Sequence, residues 1–262
     1  MQSTSLGSNL TGAAISPASV QAMNLAADDL TPVTFIDTSA MEEQKLTYIA
    51  EADAVGSVPA PASMKGLVKT GVAFLKGGHP TVLMDKLGER IAFERTGTRL
   101  YDALSLKYKA VVQSSAGVLP PAEASEYGDG GARDETPEAT IDRIRAEELE
   151  HFKLLCDAVV SLGGDPTAVT PCADVAAVAS SGLMQVLNDP RTTLAQCLSA
   201  MLTAEMTDNA GWELLIQLAE EAGETELVGQ FLAALGQEQE HLSIIKNWLT
   251  NIVAADPAPS LV

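Results

Sequence analysis

The sequence predicts an all-α protein, on two observations. The apolar fraction of the 262 residues is 46%, yet aromatic residues make up only 4%, which is typical of helices rich in Ala and Leu rather than of a β-sandwich. Apolar residues also recur every three or four positions along four long segments after residue 80, which is the period of an amphipathic helix. A chain of this length can bury a substantial core.

The charge balance and the cysteines exclude several classes of protein. Sixteen Lys and Arg against 35 Asp and Glu give a net charge of −19, which repels nucleic acid and attracts cations. Cys156, Cys172 and Cys197 form no Cys-x-x-Cys pair, so neither a disulfide framework nor a cysteine metal site is predicted. No apolar run approaches the roughly 20 residues of a membrane span, and the first residues lack a secretory signal. We therefore expect a cytoplasmic location.

The N-terminal part differs in composition from the rest. Residues 1–62 are rich in Ser, Thr, Ala and Pro, and we expect a weakly ordered or wrapping extension with a strand or turn at 33–36 and a short helix at 41–50. Residues 63–262 form the predicted main domain. Its first segment, 64–75, combines lysines with apolar residues, which suits either a helix docked on the domain or one lying on a membrane or partner.

The first long helix is predicted to start at Pro80, since proline favours the first helical turn. Its inward stripe is Leu87, Ile91, Glu94, Tyr101, Leu104 and Tyr108. Glu94 lies in the middle of this apolar face, so its carboxylate needs a partner. Residues 113–135, with two prolines and a glycine cluster, are predicted to form a long loop that is either a lid or a disordered insertion.

The second long helix is predicted from about Thr136, where Thr-Pro-Glu-Ala is a capping signal, to Leu162, before two glycines. Its inward stripe is Ile141, Ile144, Glu148, His151, Leu155, Val159 and Leu162. Side chains three residues apart point to the same side of a helix, so Glu148 and His151 can hold one metal ion together.

The connection from 165 to 189 is long enough to let the second and third helices run parallel, and it is predicted to hold a short helix around 175–187. The third helix should follow Pro190 and end near Ala222. Its inward stripe is Leu194, Leu198, Met201, Glu205, Asp208, Trp212, Leu215 and Ala219. Two acids therefore lie on an otherwise apolar face.

The fourth helix, predicted for about 225–253, repeats the pattern of the second. Its inward stripe is Leu227, Phe231, Ala234, Glu238, His241, Ile245 and Trp248. Two of the three histidines of the chain thus belong to a Glu-x-x-His spacing. Residues 94–104 also align with residues 205–215, so each half is a helix with one Glu followed by a helix with Glu-x-x-His. Two such hairpins related by approximate two-fold symmetry would bring six ligands to one centre.

Over residues 80–253 this pattern resembles the ferritin-like di-iron carboxylate superfamily. The aromatic residue seven positions after the Glu of the first helix, here Tyr101, is similar to that of the rubrerythrin type of bundle. The cysteines of the rubredoxin module of rubrerythrins are missing. The resemblance implies a ferritin-like four-helix bundle with a long crossover connection and an N-terminal extension. It also implies a ligand set of Glu94, Glu148, His151, Glu205, Glu238 and His241. Glu94, Glu205 and Tyr101 are the predicted catalytic residues.

Several side chains near this set have two interpretations. Asp208 is either an extra ligand or an acceptor that fixes His151 or His241 through its other ring nitrogen. Tyr101 and Trp212 either pack in the core or relay electrons. The acids themselves could form a degenerate site in which they only hydrogen-bond to one another.

The predicted cofactors are two iron ions, with manganese as the alternative, and the predicted co-reactant is oxygen or peroxide. The activity would be that of a ferroxidase or of a peroxide-detoxifying oxidoreductase. The alternatives are a non-catalytic metal-binding or stress-related structural protein, and a di-iron oxygenase acting on an organic substrate. We expect a homo-oligomer, with a dimer favoured over a cage, and no nucleic-acid partner.

Overall fold

The structure is a computed structural model. It describes residues 17–32, 34, 37–61, 63–64, 66–68, 71, 80–113, 119–121 and 135–255. The secondary structure within these ranges is α-helical throughout, without a strand. The all-α prediction is therefore confirmed for this part of the chain.

Two compact units share the described residues, with Gln2–Ala54 assigned to one and Val55–Ala258 to the other. The first contains helices α1 (Pro17–Leu30) and α2 (Ser39–Glu51), neither of which has a buried residue. Helix α2 matches the predicted short helix, whereas α1 was not predicted. The strand or turn predicted at 33–36 falls mostly outside the described residues. The domain boundary at 62 stays a prediction.

Five helices with defined ends lie in the described part of the second unit. They are α3 (Pro80–Val112), α4 (Pro137–Ser161), α5 (Pro171–Asn188), α6 (Leu194–Ala222) and α7 (Thr225–Ala254). Thr136 caps α4 by accepting a hydrogen bond from the Ala139 amide, and Thr193 forms a capping box with Gln196 at the start of α6. Helix α6 ends at Gly223, whose φ of +73° is the left-handed conformation that glycine adopts without strain. Local capping thus sets the boundaries that the sequence predicted.

Contacts between charged side chains give the directions of the helices. Along α3, Asp102 pairs with Arg145 at 2.8 Å, and Lys109 pairs with the earlier Glu138 at 3.2 Å. Helices α3 and α4 are therefore antiparallel. Tyr101 contacts Glu205, whereas Lys107 reaches back to the Thr192 carbonyl at the start of α6. Helix α6 is also antiparallel to α3, so α4 and α6 run in the same direction, as the long connection predicted.

The connecting helix α5 packs against α3 and α6. Its N-terminus is tied to α3, because Thr170 donates a hydrogen bond to the Asp85 carbonyl at 3.0 Å and the Cys172 amide donates to the Asp85 carboxylate at 2.9 Å. Gly88 allows this approach, since a Cβ there would lie 2.4 Å from a Thr170 methyl carbon. The crossover is thus a fixed part of the second unit.

Two apolar clusters form the core of the second unit. One includes Leu100, Ile144, Met201 and Trp248, and the other includes Leu87, Leu155, Trp212 and Phe231. Along α3, α4, α6 and α7 the buried acids and histidines fall between the residues of the first cluster and those of the second. The core therefore consists of two apolar layers on either side of a polar one.

Part of the predicted loop at 113–135 packs on the core. Leu119 is buried, and the Trp248 indole donates a hydrogen bond to the Pro120 carbonyl at 3.0 Å. These two residues are therefore ordered against the core, and the choice between a lid and an insertion stays a prediction. Residues 114–118 and 122–134, like most of the segment predicted at 64–75, lie outside the described residues. No helix in the described ranges is long and apolar enough to cross a membrane.

Candidate metal centre

The polar layer holds all six predicted ligands. Glu94, Glu148, His151, Glu205, Glu238 and His241 each have an exposed fraction of 2% or less. Each lies at mid-length of its helix, with apolar residues one or two turns away on both sides, so the packing of four helices buries them. The structure therefore brings together from four helices the residues that the sequence selected.

The ligand atoms fall into overlapping groups whose members lie within 4.8 Å of one another. One group is Glu94, His151 and Glu238. A second group is Glu148, Glu205, Glu238 and His241, and a third is Glu94, Glu148, Asp208 and Glu238. Glu238 belongs to every group, so it is the residue that all of these candidate sites would share.

Three buried carboxylate oxygens of the ligands have no hydrogen-bond partner among the described residues: Glu94 Oε2, Glu148 Oε2 and Glu205 Oε2. Buried polar atoms in proteins are nearly always satisfied, so three such atoms in one layer require a further partner. His151 Nδ1 and Glu238 Oε1 lie 2.6 Å apart, a distance at which a proton pairs them with one another in the metal-free protein. The donor set fits divalent metal.

The two single carboxylates are each held through one oxygen. The Arg90 guanidinium donates to Glu94 Oε1 at 2.8 Å, and the Tyr101 hydroxyl donates to Glu205 Oε1 at 2.5 Å. In both cases Oε2 remains without a partner. These contacts fix each carboxylate and leave one oxygen for a metal.

The outer nitrogen of each histidine is held by the opposite Glu-x-x-His helix. His151 Nε2 lies 2.9 Å from the Gln237 side-chain oxygen, and His241 Nε2 lies 2.8 Å from Glu147 Oε2. Arg143 in turn donates to Glu147 at 2.8 Å. We did not predict these contacts, although the sequence contains a signal: Glu147 and Gln237 are the residues directly before the Glu of each motif. Outer partners of this kind fix the histidine ring and its tautomer.

Comparisons with protein-family models, with curated proteins and with solved structures found no match. The interpretation of this centre therefore rests on the geometry and chemistry of the chain itself.

Asp208 does not hold a histidine, so that part of the prediction is wrong. Its carboxylate accepts a hydrogen bond from Arg90, which lies one turn before Glu94 on the same face of α3. The outer nitrogens of His151 and His241 are already held by Gln237 and Glu147 because those residues face them across the α4–α7 interface. Asp208 also belongs to the third group of ligand atoms, with Glu94, Glu148 and Glu238. Its alternative role, as an extra ligand, therefore stays a prediction.

Arg90 is the buried cation of the layer, with an exposed fraction of 2%. Its guanidinium carbon lies 4.4 Å from the centre of the Phe93 ring, and Gly211 leaves room for it, because a Cβ there would lie 2.7 Å from Arg90 Nη1. We did not predict it, although a cation four residues before an inward Glu is a recognisable signal.

The aromatic residues follow the two-fold pattern of the repeat. The Tyr101 ring lies edge-on to His241 with centroids 6.4 Å apart, and the Trp212 ring lies edge-on to His151 at 5.5 Å. Each half thus supplies the aromatic wall for the histidine of the other half. Both rings are fully buried, so packing accounts for Trp212, and Tyr101 adds its bond to Glu205.

Burial and charge shift the pKa values of the ligands. Burial raises the pKa of Glu94 and Glu205 well above the usual range, and it also raises the pKa of Glu148. Burial disfavours ionised Glu238 as well, but the two histidines outweigh it and lower the pKa of Glu238. Without metal, the cluster therefore retains protons that an exposed set would lose.

Both histidines respond to the same charges. Burial disfavours the imidazolium form, but the contacts of His151 with Glu238 outweigh it and raise the pKa of His151. Burial disfavours the imidazolium of His241 too, but the charge of Glu238 and the hydrogen bonds that the ring donates to three carboxylates raise the pKa of His241 well above its usual range. A metal ion would replace these protons.

Gly97 is required for the position of Glu148. A Cβ at residue 97 would lie 2.1 Å from Glu148 Oε2, so Gly97→Ala must displace that carboxylate from the layer. We expect metal affinity to fall at least about tenfold, as it does when the partners of a ligand are disturbed. Metal retained after dialysis against a weak chelator measures the effect.

Gly182→Ala is the matched control, because a Cβ at residue 182 meets nothing within 4 Å. Equal metal retention by the two variants would contradict the placement of Glu148 in the site.

Proposed function

We propose that this chain is a dimetal oxidoreductase of the ferritin-like type. In this proposal α3, α4, α6 and α7 form a ferritin-like four-helix bundle that holds two iron ions, with manganese as the alternative. The ions would react with oxygen or peroxide, as in a ferroxidase or a peroxide-detoxifying enzyme. The cytoplasmic location and the homo-oligomer remain predictions from the sequence.

The observation that carries this proposal is the set of unpartnered ligand atoms in the buried layer. A degenerate site would be expected to pair its acids with one another, since an unsatisfied buried polar group costs about 1–3 kcal/mol. Four carboxylates and two neutral imidazoles supply about four negative charges, which balance two divalent ions. Oxygen and imidazole donors without thiolate suit iron or manganese.

The chain itself would orient the ligands. Bound iron would supply the electrons that reduce oxygen or peroxide. Tyr101 holds Glu205 through one oxygen, and Asn209 joins α6 to α7 by donating to the backbone carbonyls of Glu205 and Glu238 at 2.9 and 3.0 Å. The two apolar clusters exclude water from the layer. These contacts support a dry site whose carboxylates are held in place by the chain.

Metal analysis of the purified protein, followed by mixing of the ferrous form with oxygen or with peroxide, tests the proposal. We expect about two ions per chain and oxidation of the ferrous protein faster than that of free ferrous ion. Two bound ions without faster oxidation would favour the non-catalytic metal-binding protein. Failure to bind metal would contradict both.

Glu94→Gln separates reactivity from folding. The substitution keeps the volume and an acceptor for Arg90 but removes one charge from a ligand, so we expect an unchanged helical content. Oxidation of the ferrous protein should slow at least about tenfold, the scale on which even outer partners affect such sites. Stopped-flow absorbance with oxygen measures it.

Asp102→Asn, an exposed acid on the same helix, is the control for Glu94→Gln. If the two variants react at the same rate, Glu94 does not belong to the reactive site.

A cavity supports a second candidate, the oxygenase. It has a volume of about 530 Å³ between α3, α5 and α6 and is lined mainly by apolar side chains, including Phe93, Pro171 and Leu183. This size suits a small organic molecule. Phe93 precedes the ligand Glu94 and contacts Arg90, so the cavity wall is one residue from the layer. The iron-loaded protein should then consume one molecule of an organic substrate per molecule of oxygen, and the iron-free protein should consume none. This result would favour the oxygenase over the first candidate.

A further inference from the structure

The two ion positions have different surroundings in spite of the repeat that produces them. At the position of His241, the outer nitrogen faces the carboxylate of Glu147, whereas at the position of His151 it faces the amide of Gln237. Glu147 and Gln237 occupy equivalent places, each directly before the Glu of its motif. The repeat therefore departs from symmetry at the residue that supports each histidine.

This difference changes how strongly each imidazole binds a cation. In both histidines Nδ1 faces the cluster, at 2.6 Å from Glu238 for His151 and at 3.2 Å for His241. When Nδ1 binds metal, Nε2 carries the hydrogen and donates it outward. A carboxylate that accepts this bond makes the imidazole a stronger donor than an amide does. His241 is therefore the better ligand.

The negative charge of Glu147 is only partly neutralised by its own partner. Arg143 donates to Glu147 at 2.8 and 3.1 Å, but it also pairs with Glu135 and with Glu240, each at 3.0 Å. One guanidinium thus serves three carboxylates, and Glu147 retains charge to share with His241.

The single carboxylates, Glu94 and Glu205, also favour the position of His241, because they differ in the negative charge that they can offer to an ion. Glu94, at the position of His151, accepts its hydrogen bond from the charged Arg90, whereas Glu205, at the position of His241, accepts from the neutral hydroxyl of Tyr101. Arg90 is shared with Asp208, yet it still withdraws more charge from Glu94 than a phenol does from Glu205.

We propose that the two positions bind metal unequally, so that the ion beside His241 binds first and more tightly and the ion beside His151 binds second. The inference rests on the proposed dimetal function, and it adds a one-ion state that the protein occupies at low metal concentration. Glu147 is the positioning residue that sets the order.

Titration of the full-length metal-free protein with manganous ion by calorimetry tests the order. We expect two steps whose affinities differ by at least about tenfold. Glu147→Gln should weaken the first step by about 10–100-fold, and Gln237→Glu should strengthen the second step. The double variant Glu147→Gln/Gln237→Glu has an unchanged composition and should load first beside His151.

Histidine variants assign the steps to positions. His151→Ala should keep the tight step and lose the weak one, whereas His241→Ala should lose the tight step. If either variant loses its helical content, the two isosteric substitutions at 147 and 237 decide the order, since neither removes a ligand.

The outcomes separate this inference from the function on which it rests. Two ions bound with equal affinity, or a Glu147→Gln variant that weakens both steps equally, would overturn the unequal loading but leave the dimetal proposal intact. Fewer than one ion bound per wild-type chain would overturn the dimetal proposal itself.

Discussion

Arg90→Met should lower the free energy of unfolding of the metal-free protein by about 3–5 kcal/mol, because breaking the buried ion pair leaves Asp208 without a counter-charge. Methionine keeps an apolar contact with Phe93, so lost charge rather than lost volume causes the effect. The guanidinium is 2% exposed, and it contacts both Glu94 and Asp208. Urea unfolding near pH 6, followed by circular dichroism, measures the change.

Two further variants isolate the charge of Arg90. The pair of Arg145 with Asp102 has the same chemistry, but its side chains are 44% and 52% exposed, so Arg145→Met should cost about 1 kcal/mol or less. In the double variant Arg90→Met/Asp208→Asn the buried carboxylate no longer lacks its cation, and part of the loss should be recovered. If Arg90→Met and Arg145→Met lower the free energy of unfolding by the same amount, Arg90 is not a structural counter-charge.

The metal-free protein should lose stability as the pH rises from about 5 to 8. Glu94, Glu148 and Glu205 have pKa values raised from 4.5, mainly by burial. A raised folded-state pKa means that the native state binds more protons. The resulting stabilisation is complete below about pH 4.5 and is lost as the pH rises through the folded-state pKa values. Each extra native proton is worth about 1.4 kcal/mol per pH unit.

The two histidines also make the metal-free protein less stable as the pH rises, and Glu238 does not oppose this effect between pH 5 and 8. The pKa values of His151 and His241 are raised from 6.5, so their contribution fades above about pH 6.5. The pKa of Glu238 is lowered, and its stabilisation is lost only below about pH 4.5, outside the range. The decline from pH 5 to 8 should therefore be continuous.

Metal should reverse this trend. Divalent ions bind the deprotonated ligands and should add about 3–4 kcal/mol at 100 to 1,000 times the dissociation constant. Melting temperatures of metal-free and manganese-loaded protein between pH 5 and 8 measure both effects. A metal-free protein that becomes more stable toward pH 8, with a melting curve that metal does not move, would mean that the buried acids are a packing motif.

The periodicity of the sequence was sufficient to predict the long helices and their inward faces. The stripes predicted for the third and fourth long helices are buried in full in α6 and α7, because the alternation of apolar residues fixes which face enters the core. Tyr108 and Leu162, at the ends of the stripes of α3 and α4, are only half-buried. Helix α1 was missed because the Ser, Thr, Ala and Pro content of residues 1–62 indicated weak order, although Val20, Met23 and Leu30 recur at helical spacing; none of its residues is buried.

The ligands were predictable, but their partners were not. The spacing within one helix shows that Glu238 and His241 share a face, whereas the contact between His241 and Glu147 depends on the register of α4 against α7. The same holds for Arg90, which is one turn from Glu94 in sequence but reaches Asp208 only through the packing of α3 on α6. Interhelical register arises from core packing, and single-helix periodicity does not specify it.

The composition of the ion positions has a consequence for the order of folding. The hairpin of α3 and α4 and the hairpin of α6 and α7 each form through contacts between neighbouring segments, which generally assemble quickly. Each proposed ion position, however, would take ligands from both hairpins: Glu94 and His151 with Glu238 at one, and Glu148 with the three residues of α6 and α7 at the other. Neither hairpin encloses an ion by itself. Metal capture during refolding therefore reports the docking of the two hairpins, a later event than the formation of their helices.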